Sequence, residues 1–323
     1  MIRPFVITDF GALNRYRRHA LFLDSQPTLT WGRALVPAGA LLSPFSSLTG
    51  VFTSVSQGDG RRPPLMGQVA HRAGRSYAHF TMLAPEAAIE SPDLPALLEH
   101  LIKRVGSRGA QSLVAEVEES SRAFEALRRA GFSIYTRQTI WRITRAPRGV
   151  SRREGWRPAT RRDAFAVNLL AGSLVPTLVQ QVEPLPADPL SGWLHYRNGE
   201  LLAYVDLTRG PTGAWLQPYV HLDAAPFGRA LAALVAGLGP SRGKPLYVCM
   251  RSNQEWLQPA LEDLGAEPGP QQAVMVKRTT RRVDARLGHS IRAAEGRRAE
   301  PTVPIQLPNP IMINHELELS HHD

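Results

Sequence analysis

An internal repeat is the feature that most constrains the fold of this 323-residue chain. Residues 112–120 read as a strand with alternating apolar positions, and a short helix, Gly131 and a second strand follow. Residues 245–278 give the same order, with Gly265 after the helix. Glycine at that place suits the left-handed turn that ends a helix. The pattern therefore predicts two copies of one α/β unit.

The match extends upstream of these segments. In each copy two strands joined by a turn precede a further helix, and each copy opens on a motif that begins Arg-Pro and ends in Asp. Chance agreement between two α/β segments is the alternative, but this many elements in one order, with matching glycines, argue against it. The matched pairs are 65–85 with 201–223, 94–110 with 226–244, and 3–9 with 157–163.

The repeat divides the chain into domains. It predicts an N-terminal domain over 1–146, a linker over 147–155 and a C-terminal domain over 156–282. Residues 283–323 lack periodicity and are rich in Pro, His and Arg, which predicts a disordered tail. The expected fold class is α/β, with a mixed sheet in each copy.

Cysteine and histidine usage exclude several kinds of site. Cys249 is the only cysteine, so neither a disulfide within the chain nor a C-x-x-C metal site is possible. The ten histidines form no H-x-x-x-H pair, and no metal site is expected. The N-terminus lacks the apolar segment of a signal peptide, and no run approaches the ~20 apolar residues of a membrane span. We therefore expect a soluble, cytoplasmic protein.

The formal net charge of +10 suits anionic partners. Residues 136–163 hold nine arginines against two acids, which raises nucleic-acid binding as a hypothesis. The aromatic residues in this stretch belong to strand patterns, and no nucleic-acid motif appears. We favour a solvated seam between the copies and do not expect nucleic-acid binding. Arginine excess is also typical of GC-rich bacterial genomes.

The order of elements resembles the GCN5-related N-acetyltransferase (GNAT) fold, present twice in tandem over roughly 1–145 and 156–279. The resemblance implies that acetyl-CoA enters a gap between two central strands. It also implies that the following loop and helix N-terminus hold the pyrophosphate, because free backbone N–H groups and the helix dipole favour an anion. The family's loop reads Arg or Gln, two residues, Gly, one residue, then Gly or Ala.

The second copy carries part of this loop motif. Gly228 and Ala230 match its last two positions, whereas Ala225 stands where Arg or Gln is usual. Arg229 is a candidate for the ligand's charge, and a solvated surface arginine is the alternative. The resemblance implies an acetyl-CoA site formed by Val220, Leu222, Ala225, Gly228, Arg229 and Ala230.

The first copy departs further from the motif. Its loop has no glycine and carries Glu86, Glu90 and Asp93 where phosphates would arrive. Carboxylates beside a pyrophosphate repel it. A capped helix beginning near Ser91 or Asp93, without a CoA site, is therefore the favoured interpretation.

The expected catalytic tyrosine is missing from both copies. Leu127 and Leu261 occupy the position, four residues before the helix-ending glycine, where many family members have a tyrosine that protonates the leaving thiolate.

Other residues are candidates for the chemistry. Glu116 and Glu118 share one face of a strand, and either is a candidate base; solvated carboxylates at a strand end are the alternative. Tyr219 and His221 are predicted to share a face at the end of the second copy's central strand. Histidine titrates near neutral pH, which suits a base, and a satisfied, partly buried histidine is the alternative.

The sequence thus favours an acetyl-CoA-dependent N-acyltransferase that acts on an amine of a small molecule or protein, with any CoA site in the second copy. The alternative is a catalytically inactive GNAT-like module for ligand binding or interaction, since the tyrosines are absent.

Overall fold

The structure is a computed structural model that describes residues 2–41, 46–57, 63–186 and 189–279. The predicted tail over 283–323 lies outside the described residues. The strands are β1 (Ile2–Pro4), β2 (Leu21–Phe22), β3 (Val51–Ser56), β4 (Leu65–Ala70), β5 (Tyr77–Ala84), β6 (Ser112–Glu118), β7 (Ser133–Ile143), β8 (Trp156–Pro158), β9 (Trp193–Arg197), β10 (Glu200–Arg209), β11 (Ala214–Val220), β12 (Leu246–Arg251) and β13 (Glu267–Arg278).

Helices connect these strands in both halves. The α-helices are α1 (Phe10–Tyr16), α2 (Ser25–Trp31), α3 (Leu35–Ala38), α4 (Ser46–Thr49), α5 (Leu94–Gly106), α6 (Arg122–Arg129), α7 (Ala164–Leu174), α8 (Thr177–Gln180), α9 (Gly228–Leu238) and α10 (Gln258–Asp263). Among the described residues no helix is long and apolar enough to cross a membrane.

One sheet contains all of these strands. Their order is β1-β3-β4-β5-β6-β13-β7-β12-β11-β10-β9-β8, with β2 added on β5. The pairs β5–β6 and β11–β12 are parallel, and the other pairs are antiparallel. The predicted mixed α/β class is confirmed. From the centre of the sheet toward either edge, the strands of each half follow one another in reverse chain order. The repeat is therefore visible in the sheet itself.

The two halves exchange their last strands. β13, from the second half, lies between β6 and β7, where Ala273 pairs with Val117 on one side and Arg137 on the other. β7, from the first half, in turn pairs with β12. Met275 of β13 is buried in the first-half core beside Leu127, whereas Trp141 of β7 is buried in the second-half core. The domain boundaries remain a prediction, but each core needs a strand from the other half.

The helices pack apolar faces on the sheet. α5 places six buried apolar residues at helical spacing against the first-half strands, whereas α9 buries six consecutive apolar residues, 231–236, in the second half. Gly131 and Gly265 have φ angles of +87° and +63°, which confirms the predicted left-handed turns after α6 and α10.

The matching Arg-Pro and Asp motifs form the same turn twice. Arg3 Nη2 lies 2.6 Å from Asp9 Oδ1, and Arg157 Nη2 lies 2.6 Å from Asp163 Oδ1. In the second turn Asp163 also accepts a hydrogen bond from the Thr160 N–H at 2.8 Å. The guanidinium of Arg157 holds the pKa of Asp163 well below its usual range. The alignment of the two copies is therefore confirmed at their starts.

Candidate functional site

A wedge opens between the two parallel strands of each half. β5 pairs with β6 only from Tyr77 to His79, and β11 pairs with β12 only from Ala214 to Leu216. Beyond those residues the strands separate. Each separation leaves a strand edge whose backbone N–H and C=O groups need other partners.

The first-half wedge is filled by the chain itself. β2 pairs with the end of β5, Leu21 opposite Leu83 and Phe22 opposite Met82. The Leu23 N–H then donates to the Thr81 carbonyl at 3.1 Å, while the Leu23 carbonyl accepts from the Glu116 N–H at 2.8 Å. Residues 21–23 therefore bridge the separated strands and leave no edge for a ligand.

Side-chain amides occupy the second-half wedge. Gln254 Oε1 accepts from the Val220 N–H at 3.0 Å, and Gln254 Nε2 donates to the Val220 carbonyl at 3.1 Å. Gln217 Nε2 donates to the Cys249 carbonyl at 3.3 Å. Gln254 is only 3% exposed. In contrast to the first half, no main-chain segment among the described residues fills this wedge.

The wedge leads to the N-terminus of α9. Leu222–Ala224 form a 3₁₀ turn after β11, and α9 begins at Gly228. A Cβ added to Gly228 would meet only Ala260, at 3.9 Å, so this approach to the helix is open. The first N–H groups of a helix have no acceptor within it. This end of α9 therefore offers donors beside open space.

The other predicted cofactor residues follow the same turn. Leu222 and Ala225 are exposed, and Val220 is buried at the wedge. The Arg229 guanidinium lies on the surface, 3.5 Å from Glu154 Oε2. The Ala230 carbonyl accepts from Trp156 Nε1 at 2.7 Å, which ties α9 to β8.

A cavity of about 330 Å³ lies between the halves, and the second-half wedge opens into it through Gln217, Tyr219 and Gln254. Both halves line it with ionisable groups. They are the acids Asp24, Glu116, Glu183 and Asp206, the bases Arg72, Arg75, His79 and Arg251, and the phenols Tyr77, Tyr204 and Tyr219. Arg72, Arg75 and Arg251 offset most of the charge of the four carboxylates, so the two signs are segregated within the cavity rather than in excess.

A partly buried ion pair lines this cavity. Arg251 Nη2 donates to both carboxylate oxygens of Glu183, at 2.9 and 3.1 Å. The Tyr135 hydroxyl also donates to Glu183. Burial raises the pKa of Tyr135 well above its usual value, and the Glu183 charge adds to the rise. Because Arg251 neutralises Glu183, the charges that remain free to meet a ligand lie elsewhere.

Asp24 and Glu116 supply such charges at the first-half end. They are 6% and 7% exposed. Asp24 Oδ2 lies 3.5 Å from His79 Nδ1, and Glu116 accepts from the Ser25 N–H at 2.8 Å. Burial raises the pKa of Asp24 to about 6; the His79 charge opposes the rise and the Glu116 charge adds to it.

Replacing Asp24 by Asn is expected to stabilise the protein at neutral pH. An acid whose folded pKa is raised stabilises the fold below its unfolded pKa of about 4, and this contribution is lost as pH rises through the folded pKa. The free energy of unfolding of Asp24→Asn should therefore exceed that of the wild type by about 2 kcal/mol near pH 7.5 and equal it near pH 4. Urea unfolding at both pH values measures this. The control is Asp223→Asn, because the Asp223 side chain is 76% exposed. A destabilised Asp24→Asn near pH 7.5 would instead mean that the Asp24–His79 pair outweighs burial.

The structure unites some of the sequence-predicted catalytic residues and separates others. Glu116 and Tyr219 line the central cavity. Burial raises the pKa of Tyr219 far above its usual value, so its phenol stays protonated near neutral pH. Glu118 is exposed and lines a second cavity, of about 570 Å³, that Glu116 also touches. His221 lies outside the central cavity: its Nδ1 accepts from the Asp223 N–H at 3.2 Å, because the strand ends at Val220 and alternation stops there.

Other sequence expectations concern the helices. Leu127 and Leu261 are buried in the two cores and face away from the cavity. Asp93 stands at the N-terminus of α5, but its carboxylate accepts from Ser56 Oγ at 2.5 Å and caps no helical N–H. Of the two residues expected near the helix start, Ser91 supplies the side-chain acceptor: its Oγ accepts from the Asp93 N–H at 3.3 Å.

Sequence reasoning missed several cavity residues. Asp24, His79, Glu183, Arg251 and Gln254 reach it from four separate segments, since Gln254 lies in the turn directly after Arg251. Asp24 directly before α2 reads as a helix start, and Arg251 ends an apolar strand; these were the available signals.

Comparison with known proteins identifies the fold. No protein-family model and no curated protein matches the sequence. A crystal structure of a GCN5-related N-acetyltransferase from Sphaerobacter thermophilus is similar over 87% of this chain and 96% of its own, at 15% identity and a TM-score of 0.52. A tandem GNAT protein from the clavulanic acid biosynthesis pathway covers 87% of this chain and 99% of its own, at 14% identity and a TM-score of 0.48. At such identity the first likeness shows the fold: this chain has the GNAT fold, which confirms the predicted architecture.

Proposed function

We propose that the chain is an acyltransferase that binds an acyl-CoA donor in the second-half wedge and an amine acceptor in the central cavity. The observation that carries the proposal is the edge of β11, where Val220 offers both its N–H and its C=O to an amide. The pantetheine arm of CoA is itself a chain of amides. No main-chain segment among the described residues fills this edge, unlike the first-half edge, which β2 occupies.

The second half also suits the anionic part of CoA. The N-terminus of α9 follows the wedge directly, and the space at Gly228 leaves its N–H groups open to a pyrophosphate. Arg229 adds an exposed positive charge beside this helix start. In the first half, Glu86 and Glu90 stand near the corresponding helix and would repel the same group. The donor site is therefore assigned to the second half alone.

The donor supplies an activated acyl thioester, and the protein's own groups act around it. Tyr219 precedes Val220 and lines the cavity, and its phenol stays protonated, so it can donate a hydrogen bond toward the leaving group. Asp24 and Glu116 attract a cationic amine at the other end of the cavity. Asp24, with a pKa of about 6, is suited to accept its proton near neutral pH.

The acceptor class remains broad. The cavity volume of about 330 Å³ fits a small molecule or a single extended side chain of a protein. We propose a cytoplasmic location, because acyl-CoA donors are found there.

An inactive ligand-binding module is the second candidate. Leu127 and Leu261 replace the expected tyrosines, and both lie in the core, so neither can act as the acid. This candidate predicts no turnover, whether the module binds acyl-CoA or serves only for interaction with another partner.

Two measurements test the proposal and separate the candidates. Calorimetric titration of the full chain with acetyl-CoA should give a dissociation constant in roughly the micromolar range. Release of free CoA thiol should then accelerate with cationic amines and fall when Tyr219 is replaced by Phe. Binding without thiol release for any amine in a broad panel supports the inactive module. A folded sample that binds no acyl-CoA contradicts the acyltransferase and favours an inactive module for interaction with another partner.

A further inference from the structure

The wedges of the two halves are closed by different means. In the first half a main-chain segment, residues 21–23, satisfies the exposed edge of β5. In the second half one side chain, Gln254, satisfies Val220 on β11. Residues 21–23 are fixed in the first-half wedge by the chain on both sides of them. The Gln254 side chain can leave the second-half wedge by rotation about its own bonds.

The turn that carries Gln254 directs it into the wedge. Gln254 lies inside the 3₁₀ turn Ser252–Leu257, and its backbone there departs from helical values, with φ −120° and ψ 17°. Its neighbours are held from outside the wedge: Arg251 binds Glu183, and Asn253 Nδ2 donates to the Leu174 carbonyl at 3.0 Å. The turn is thus anchored by its neighbours, and Gln254 can leave Val220 without unfolding it.

Gln254 and an incoming amide need the same two hydrogen-bonding groups. The Val220 N–H and C=O are both engaged by the one side chain. Left without any partner, these buried groups would cost free energy, so an empty wedge is disfavoured. A ligand that binds only the open state has an apparent affinity reduced by the fraction of molecules in that state.

We propose that Gln254 is a built-in competitor for the donor site: it holds the wedge closed by imitating the donor's amide, and acyl-CoA binds by displacing it. This inference rests on the proposed function and adds to it a specificity device. A ligand without an amide at this position cannot replace the two hydrogen bonds between Gln254 and Val220 that its binding breaks. Amide-bearing chains are thereby favoured over other thioesters.

Two variants test the competition. Gln254→Ala removes the amide that occupies the wedge, and Gln254→Asn keeps an amide on a side chain that is one carbon too short to reach Val220. Both are expected to bind CoA about tenfold more tightly than the wild type, since two hydrogen bonds no longer have to be broken. Pantetheine without the nucleotide should show the same gain. The matched control is Gln258→Ala, because the Gln258 side chain lies on α10 and donates to Glu262 Oε1 of the same helix at 2.8 Å.

Thermal unfolding supplies a second reading. Without ligand both variants should melt below the wild type, because Val220 has lost its partners; with saturating CoA the difference should shrink. A purely structural Gln254 would instead weaken CoA binding when removed. If the wild type binds CoA and both variants bind it equally well or more weakly, the competitor role of Gln254 is overturned while the proposed function stands. If neither the wild type nor the variants bind CoA, the proposed function fails and the competitor with it.

Discussion

Gly228→Glu is expected to weaken acetyl-CoA binding by about a hundredfold or more, from the combined loss of the helix-terminus attraction and the added repulsion. The substitution places a carboxylate at the first residue of α9, in the space through which a pyrophosphate would approach. The fold should be unaffected, because a Cβ there meets only Ala260 at 3.9 Å. Calorimetric titration measures the change, and thermal unfolding verifies the fold.

The repeat provides a matched control for this experiment. Ala96 is exposed in the first turn of α5, the first-half counterpart of α9. Ala96→Glu adds the same charge to the corresponding helix start, but the first-half wedge is filled by residues 21–23. Its titration should match the wild type. The reverse result, with binding lost in Ala96→Glu and kept in Gly228→Glu, would move the donor site to the first half.

Arg251→Met is expected to destabilise the fold by about 3 kcal/mol, because it leaves the Glu183 carboxylate without its cation. The side chains of Arg251 and Glu183 are 15% and 23% exposed, so water screens the pair poorly. Glu183 lies after α8 and Arg251 ends β12, so the pair links two separate segments that line the cavity. Urea unfolding of the full chain measures the effect.

Two comparisons isolate the ion pair from the loss of side-chain bulk. The double variant Arg251→Met with Glu183→Gln removes both charges and should recover most of the lost stability. Arg229→Met removes an arginine whose side chain is 84% exposed, although it also faces a carboxylate, and should change stability by less than about 0.5 kcal/mol. A double variant no more stable than Arg251→Met would show that the charge was not the cause.

The sequence predicted well those features that depend on neighbouring residues. Gly131 and Gly265 adopt the left-handed conformation because a helix commonly ends on a residue with positive φ, and glycine adopts that conformation without strain. The Arg-Pro and Asp motifs close the same short turn in both halves. Strand alternation placed Glu116 and Tyr219 on faces that reach the cavity. These features are encoded within a few residues of one another.

Prediction was weaker where a local pattern stops. His221 was expected to continue the face of Tyr219, but β11 ends at Val220 and the next residues turn. The segment 21–23 carries no long strand pattern, so its role as the filling of the first-half wedge was not foreseen. Gln254 reads as an ordinary polar residue of a turn, because its partner Val220 lies far away along the chain.

The sequence by itself determined that the chain folds as two copies of one α/β unit, and that only the second copy keeps a loop resembling a CoA site. Periodicity, glycine stops and charge act locally, so they can be read from the residues. Only the tertiary structure decided that β7 and β13 are exchanged, which wedge is filled, and which side chains meet in the cavity. Every strand edge offers the same N–H and C=O groups, so the choice of partner depends on packing and register between segments more than a hundred residues apart.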